Sequence, residues 1–206
     1  MRWTLPWAAA AVLWLAPAGA VAQDACAENF TWPAVGRWAE YKGNYGKMAV
    51  TNRYAVIGAE QRKGTEYKWI ELKMHDDKKN SDMIYQMLVP GTPLDIDQVE
   101  EVIMKAGNNP PMTMNGMMLK MIKGQLSKNS VFKDACREAT LVGEEKVTVP
   151  AGTFRAKRFQ SARYETDSWI DPKVPFAMLK SVGKSHQLEL VATGGGAKST
   201  IEPEAR

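Results

Sequence analysis

The sequence predicts an α+β protein: a curved antiparallel β-sheet closed by helices inserted in the middle of the chain. Three observations carry that prediction. Lys146 to Phe159 (KVTVPAGTFRAKRF) is written as a hairpin, with Val147 and Val149 alternating with polar neighbours, Pro150-Ala151-Gly152 at the turn and Phe154 opening the return run. Asp167 to Ser181 (DSWIDPKVPFAMLKS) begins as a strand that Pro172 and Pro175 confine to a sheet edge or an irregular pairing. Between residues 38 and 89 apolar side chains recur at every second position in four runs separated by turn residues, which is the spacing of a meander.

Taken in order, the first run is Gly36 to Tyr41, and the second is Met48 to Ile57, with Val50, Tyr54 and Val56 at even spacing. After the turn Gln61-Arg62-Lys63-Gly64, residues Thr65 to Met74 place Tyr67 and Trp69 on one face and Ile70, Leu72 and Met74 on the other. Ser81 to Val89 carries Met83, Tyr85, Met87 and Val89 on one side. The period then changes. In Gln98 to Ala106 the apolar residues Val99, Val102, Ile103 and Ala106 fall at helical spacing, with Asp95 or Asp97 as N-cap and Gly107 as stop. Asn108 to Pro111 breaks the chain, and Asn115 to Leu126 predicts a second helix weakened by Gly116 and Gly124. Strands return over 139–149, 153–163, 168–175 and 186–192, and the glycines from 194 open a polar tail expected to be mobile over 194–206.

The N-terminus predicts export. Arg2, an apolar run of roughly a dozen residues and the small residues Ala20-Val21-Ala22 form a signal peptide over residues 1–22, with cleavage after Ala22. A retained membrane helix needs about 20 apolar residues, and no later stretch approaches that, so no transmembrane segment is expected after cleavage. Gln23-Asp24-Ala25 ahead of Cys26 is too polar for a lipoprotein site. One domain over residues 23–193 follows, in a periplasmic setting. Its two cysteines, Cys26 and Cys136, read as one disulfide in an oxidising compartment; neither has a CxxC partner or an adjacent histidine. The formal charge of +4 falls to +3 without Arg2, and Lys and Arg are spread evenly, which excludes a nucleic-acid stripe.

Two motifs, Thr148-Val149-Pro150-Ala151-Gly152-Thr153-Phe154 and Trp169-Ile170-Asp171-Pro172-Lys173-Val174-Pro175-Phe176, together with Trp38-Ala39-Glu40-Tyr41, resemble the bacterial lipoprotein-carrier superfamily of LolA/LolB-like proteins, in its uncharacterised periplasmic branches. The resemblance spans the C-terminal third, touches the first strands and fades over residues 108–133. It implies an incomplete antiparallel barrel closed by helices around an apolar cavity, and hence non-catalytic binding of a lipid or acyl chain in the cell envelope.

The residues themselves offer little catalytic chemistry. There is no G-x-S-x-G elbow, P-loop or H-E-x-x-H, and Glu144 and Glu145 are neighbours that point to opposite faces of a strand. His75 stands beside Asp76 and Asp77 at a strand end, and His186 opens the last strand; no cofactor is implied. The sharpest local feature is PMTMNGMMLKM, with Met112, Met114, Met117, Met118 and Met121 within ten residues. Unbranched, polarizable methionine suits a lid over variable apolar ligands; thioethers at M-x-M and M-x-x-M spacing also suit Cu(I); a buried helix face is the plain structural reading. The expected ligand wall is therefore these five methionines with Trp69, Phe154 and Trp169, while Trp38, Tyr54 and Phe176 serve as core or cavity lining. The expected partner is a lipophilic small molecule or lipid. The alternatives are a methionine-rich Cu(I) protein and an envelope protein that binds another protein through a filled core.

Overall fold

The computed structural model describes residues 25–201; the predicted signal peptide (1–22) and residues 202–206 lie outside them. Eleven strands form one antiparallel sheet: β1 (Trp38–Tyr45), β2 (Met48–Arg62), β3 (Thr65–Asp76), β4 (Ser81–Pro90), β5 (Glu101–Ala106), β6 (Met112–Met114), β7 (Thr140–Val149), β8 (Gly152–Ser161), β9 (Thr166–Ile170), β10 (Met178–Val182) and β11 (His186–Gly194). A 3₁₀ turn spans Pro93–Gln98, and helices α1 (Gly116–Asn129) and α2 (Val131–Cys136) separate β6 from β7.

The strand order is β6-β5-β4-β3-β2-β1-β11-β10-β9-β8-β7. Two meanders, β1–β6 and β7–β11, thus meet where β1 pairs with β11, and β6 and β7 remain the free edges. The sheet is not closed, and the protein is mostly β with a small helical part, less helical than the α+β expectation. Where β1 crosses β11 the backbones come so close that a Cβ on Gly43 would lie 1.7 Å from the Gln187 carbonyl oxygen, so that crossing admits only glycine.

Alternation along the strands decides which side chains enter the core. Tyr54 pairs with Leu72 and Leu72 with Tyr85; Val56 pairs with Ile70 and Ile70 with Met87. All six face the helices. Their neighbours Glu71 and Gln86 face outward. On the inner face an aromatic cluster joins both meanders. Phe132 of α2 lies 5.0 Å from Tyr54, 6.0 Å from Phe30 and 6.0 Å from Phe176 between ring centroids, and Trp32 meets Phe176 edge-on at 6.1 Å. Phe30 and Phe132 are drawn together by the Cys26–Cys136 disulfide, which links Cα atoms 5.5 Å apart across a sequence separation of 110.

The hairpin motif forms as predicted. Gly152 takes φ +137°, the Ala151 N–H donates to the Leu190 carbonyl at 3.1 Å, and the turn is thereby fixed to β11. The second motif differs from the expected strand over 168–175. β9 stops at Ile170 because Pro172 and Pro175 cannot donate ladder bonds. The Lys173 N–H instead donates to the Asp171 carboxylate at 3.0 Å, the Asp171 N–H to the Ala177 carbonyl at 2.8 Å, and β10 begins at Met178.

Three other expectations need correction. Gln98 to Ala106 is not a helix: after the 3₁₀ turn, capped by Thr92 with a reciprocal Asp95 bond, the chain adds β5 to the edge of β4. Val102 and Ile103 are β-branched, and pairing Val102 with Met87 buries it fully while satisfying the β4 backbone. The second helix is real but starts at Gly116 and runs to Asn129. Residues 194–201 of the expected tail lie against the domain. Ala197 donates to the Gly36 carbonyl at 2.9 Å, Gln86 Nε2 donates to Ser199 Oγ at 2.7 Å, the Thr200 N–H donates to Glu71 at 2.8 Å, and Ile201 is buried on the outer face.

Candidate functional site

Between α1 and the inner face of β1–β4 lies a cavity of about 300 Å³. Its sheet wall is Met48, Tyr54, Leu72, Met74, Tyr85 and Met87; its roof is Ile122 and Leu126 of α1 with Val131 and Phe132 of α2. The aromatic cluster fills the space beside it, so Tyr54 and Phe132 belong to both core and cavity lining. A separate, more polar depression shares Met48 and Met74 with it and is lined further by Val50, Met83, Asp76, Lys79 and Asp82.

Among the described residues no charged side chain lines the cavity. Its phenols are also held neutral. Burial pushes the Tyr54 hydroxyl well above its ordinary value, and Tyr45 is pushed up to about 12 by burial and then Asp134, partly offset by a side-chain hydrogen bond with Asn52. Three uncharged polar side chains, Asn52, Gln125 and Ser130, interrupt the apolar lining. Asn52, 1 % exposed, has a carboxamide oxygen with no hydrogen-bond partner. A buried unpaired acceptor costs about 1–3 kcal/mol, and a cavity-facing site is where a ligand donor or water removes that cost.

The roof is the loosely held part. Leu119, Ile122 and Leu126 recur at i, i+3 and i+7 and turn toward the core, yet none of the described side chains of α1 is fully buried. Asn115 makes no side-chain cap, and Gly124 weakens the helix interior by roughly 1 kcal/mol relative to alanine. By contrast, α2 buries Val131, Phe132, Ala135 and Cys136 and is capped by Ser130, whose Oγ accepts from the Lys133 N–H at 3.3 Å.

The predicted methionine wall is divided. Met114 is buried opposite Val102 in the β5–β6 pair, whereas Met117, Met118 and Met121 are 86 %, 40 % and 61 % exposed on the outward side of α1, and Met112 is exposed on β6. None of the five lines the cavity. Trp69 lies on the outer face, its indole N–H donating to Glu60 at 3.2 Å. Trp169 also points away from the cavity: its indole N–H bonds Glu145, and the Arg158 guanidinium and Lys180 ammonium lie 5.3 and 5.6 Å from its ring. Phe154 packs beside Val147 at the far hairpin, remote from the cavity. Of the aromatics considered as lining, Tyr54 is in the wall, Phe176 is in the aromatic cluster, and Trp38 sits under Arg53 at 4.7 Å.

The methionines that do line the cavity, Met48, Met74 and Met87, come from strands. The signal for two of them was the alternation that puts Met74 with Leu72 and Met87 with Tyr85.

Both histidines sit in side-chain hydrogen-bonded clusters. His75 Nδ1 bonds Asp82 at 2.8 Å, with Lys73 on the same carboxylate at 2.7 Å, a partly exposed cross-strand cluster. His186 Nε2 lies 2.8 Å from Ser181 Oγ, which lies 3.4 Å from Ser168 Oγ, but both serines are wholly buried. Asp134, whose carboxyl is raised by burial, pairs with Arg137 at 3.2 Å and makes no hydrogen bond to His186 among the described residues. Among the described residues no group of three or more His, Cys, Asp or Glu side chains is placed to hold a metal ion.

No protein-family model matches the sequence, and no curated protein is significantly similar to it. Two solved structures resemble the fold at low identity. One is a protein of Bacteroides fragilis assigned as exported, with a YmcC-like fold: TM-score 0.40, 12 % identity, 80 % of this chain and 98 % of that one covered. The other is a protein of Parabacteroides distasonis assigned as a lipoprotein: TM-score 0.39, 12 % identity, with the same coverage. At these values neither likeness carries an argument about function.

Proposed function

We propose that this chain is an exported cell-envelope protein, a LolA/LolB-like half-barrel that binds a neutral lipophilic molecule through one apolar chain, without catalysing a reaction on it. The observation that carries this reading is the cavity under α1: mostly apolar, free of charge in its lining, and holding the side-chain oxygen of Asn52, which has no hydrogen-bond partner among the described residues. At ~30 Å³ per water-sized group, 300 Å³ accommodates about ten such groups, the size of a medium-length alkyl chain. The absence of a lining cation disfavours a free carboxylate or phosphate inside, since a buried anion needs a partner. A hydroxyl or amide N–H placed at Asn52 satisfies the orphan acceptor. The sequence resemblance to the lipoprotein-carrier superfamily and the signal-like N-terminus support the envelope setting. Among the described residues no helix is long and apolar enough to cross a membrane.

The divided methionine set does not favour Cu(I) coordination. Native mass spectrometry of protein recovered from an envelope fraction decides between the readings. A co-purifying neutral amphiphile, lost in Met87→Trp and in Ile122→Trp while the melting temperature is kept, supports the cavity reading. Apo protein alone under gentle conditions supports a filled interaction module, and a copper adduct supports the metal reading.

A further inference from the structure

We propose that the outward face of α1 docks on an anionic lipid surface, a role beyond ligand binding in the cavity. At 100° per residue, Met117, Met121, Gly124 and Lys128 fall within one quadrant of the helix, with Met118 on one flank and Lys120 on the other. This is the side opposite Leu119, Ile122 and Leu126, which face the core. Single exposed apolar residues are ordinary; three adjacent methionines, two of them more than half exposed, form a contiguous patch.

The charge around the patch names the occupant. From Val102 to Lys133 the chain carries Lys105, Lys120, Lys123, Lys128 and Lys133 and no aspartate or glutamate. Lys133 is taken by Asp97 at 2.7 Å, but Lys120, Lys123 and Lys128 have no ion-pair partner among the described residues. An apolar strip edged by unpaired lysines is the pattern of a helix lying in a headgroup region, methyl groups down and ammonium groups at the phosphates. Methionine suits that insertion because it adapts to disordered acyl chains without requiring a shaped pocket. The same helix roofs the cavity through its other face, so a bilayer that holds α1 also acts on the cavity entrance.

The test is sedimentation with large vesicles of phosphatidylglycerol and phosphatidylcholine in equal parts, against phosphatidylcholine alone, at about 0.1 M salt. The protein is expected to sediment with the anionic vesicles and to be released as salt shortens the screening length. K120Q/K128Q lowers partitioning about thirtyfold, and M117S/M121S about tenfold per methionine, with melting temperatures unchanged because each altered side chain is exposed. Equal binding to both vesicles, no binding to either, or variants that sediment like the parent overturns the proposal; in the last case another surface, or an acidic protein partner, accounts for the lysines. Cavity ligand measured by mass spectrometry in the lysine variants is expected to be unaltered, so failure of docking and failure of ligand binding are separately visible.

Discussion

Replacing Cys26 and Cys136 together with alanine removes the crosslink that holds the N-terminal segment to α2 while leaving both buried positions apolar. The closed loop has a sequence separation of 110. In the chain-entropy expression that loop loses about 16 cal/mol/K from the unfolded ensemble, or ~4.8 kcal/mol at 25 °C. For a domain of this size, each kcal/mol moves Tm by roughly 2–4 °C, so the variant should melt roughly 10–20 °C lower. The route also predicts the denaturant slope. The uncrosslinked unfolded chain is more expanded, so m in urea should rise along with the fall in midpoint. The native contacts around the crosslink, Phe30 on Phe132 and Phe132 on Tyr54, remain, so the folded variant should keep the parent's aromatic fine structure in near-ultraviolet dichroism and lose only the broad disulfide band. Thermal and urea unfolding of both proteins at pH 7.5 checks this. A Tm loss under about 3 °C, or an unchanged m with a large loss of stability, would refute the entropic account and place the effect in native packing instead.

Other outcomes follow from the same structure. Gly124→Ala adds a Cβ with nothing within 4 Å and should stabilise α1 by about 1 kcal/mol; if α1 opens to admit ligand, association of a ten-carbon alcohol slows about fivefold in stopped flow. Asn52→Leu removes the orphan side-chain acceptor found in the cavity wall among the described residues, so the preference for 1-decanol over decane should shrink about fivefold by calorimetry, the worth of one hydrogen bond. Burial lowers the His186 pKa in the folded state below its ordinary 6.5, so neutral histidine is the stabilising form. That contribution is complete above pH 6.5 and is lost as pH falls toward the folded value, so stability should drop from pH 7.5 to 5.5. Asp134, raised by burial, shifts stability with the opposite sign, and the comparison with His186→Gln isolates the histidine: guanidinium midpoints of the variant should change less over that interval.

The strands were legible because alternation is a local signal. Val50, Tyr54 and Val56, and Ile70, Leu72 and Met74, each declared a common face, and the structure turns those faces inward. The same parity put Trp69 opposite Leu72. Choosing it as a wall residue on aromatic character alone set side-chain type above direction, and it stands on the outer face. Over Gln98 to Ala106 the period was ambiguous, since Val99, Val102, Ile103 and Ala106 fit a helix as spaced. What decided for a strand was the open edge of β4, a tertiary demand with no local trace. The methionine cluster misled for a related reason. Composition identified a distinctive helix but not which side of it faces the sheet, and Leu119, Ile122 and Leu126 won that side, leaving Met117 and Met121 in solvent. Asn52 could not be found in advance, because only the assembled wall shows that its oxygen has no partner.

The ε-methyl groups of the methionines report whether a ligand enters the cavity. In a ¹³C-methyl-methionine spectrum titrated with 1-decanol, saturable shifts and ligand cross-peaks are expected at Met48, Met74 and Met87, with Met117 and Met121 unmoved. Shifts confined to Met112, Met117, Met118 and Met121, or none at saturating alcohol, would contradict a ligand cavity between α1 and the sheet.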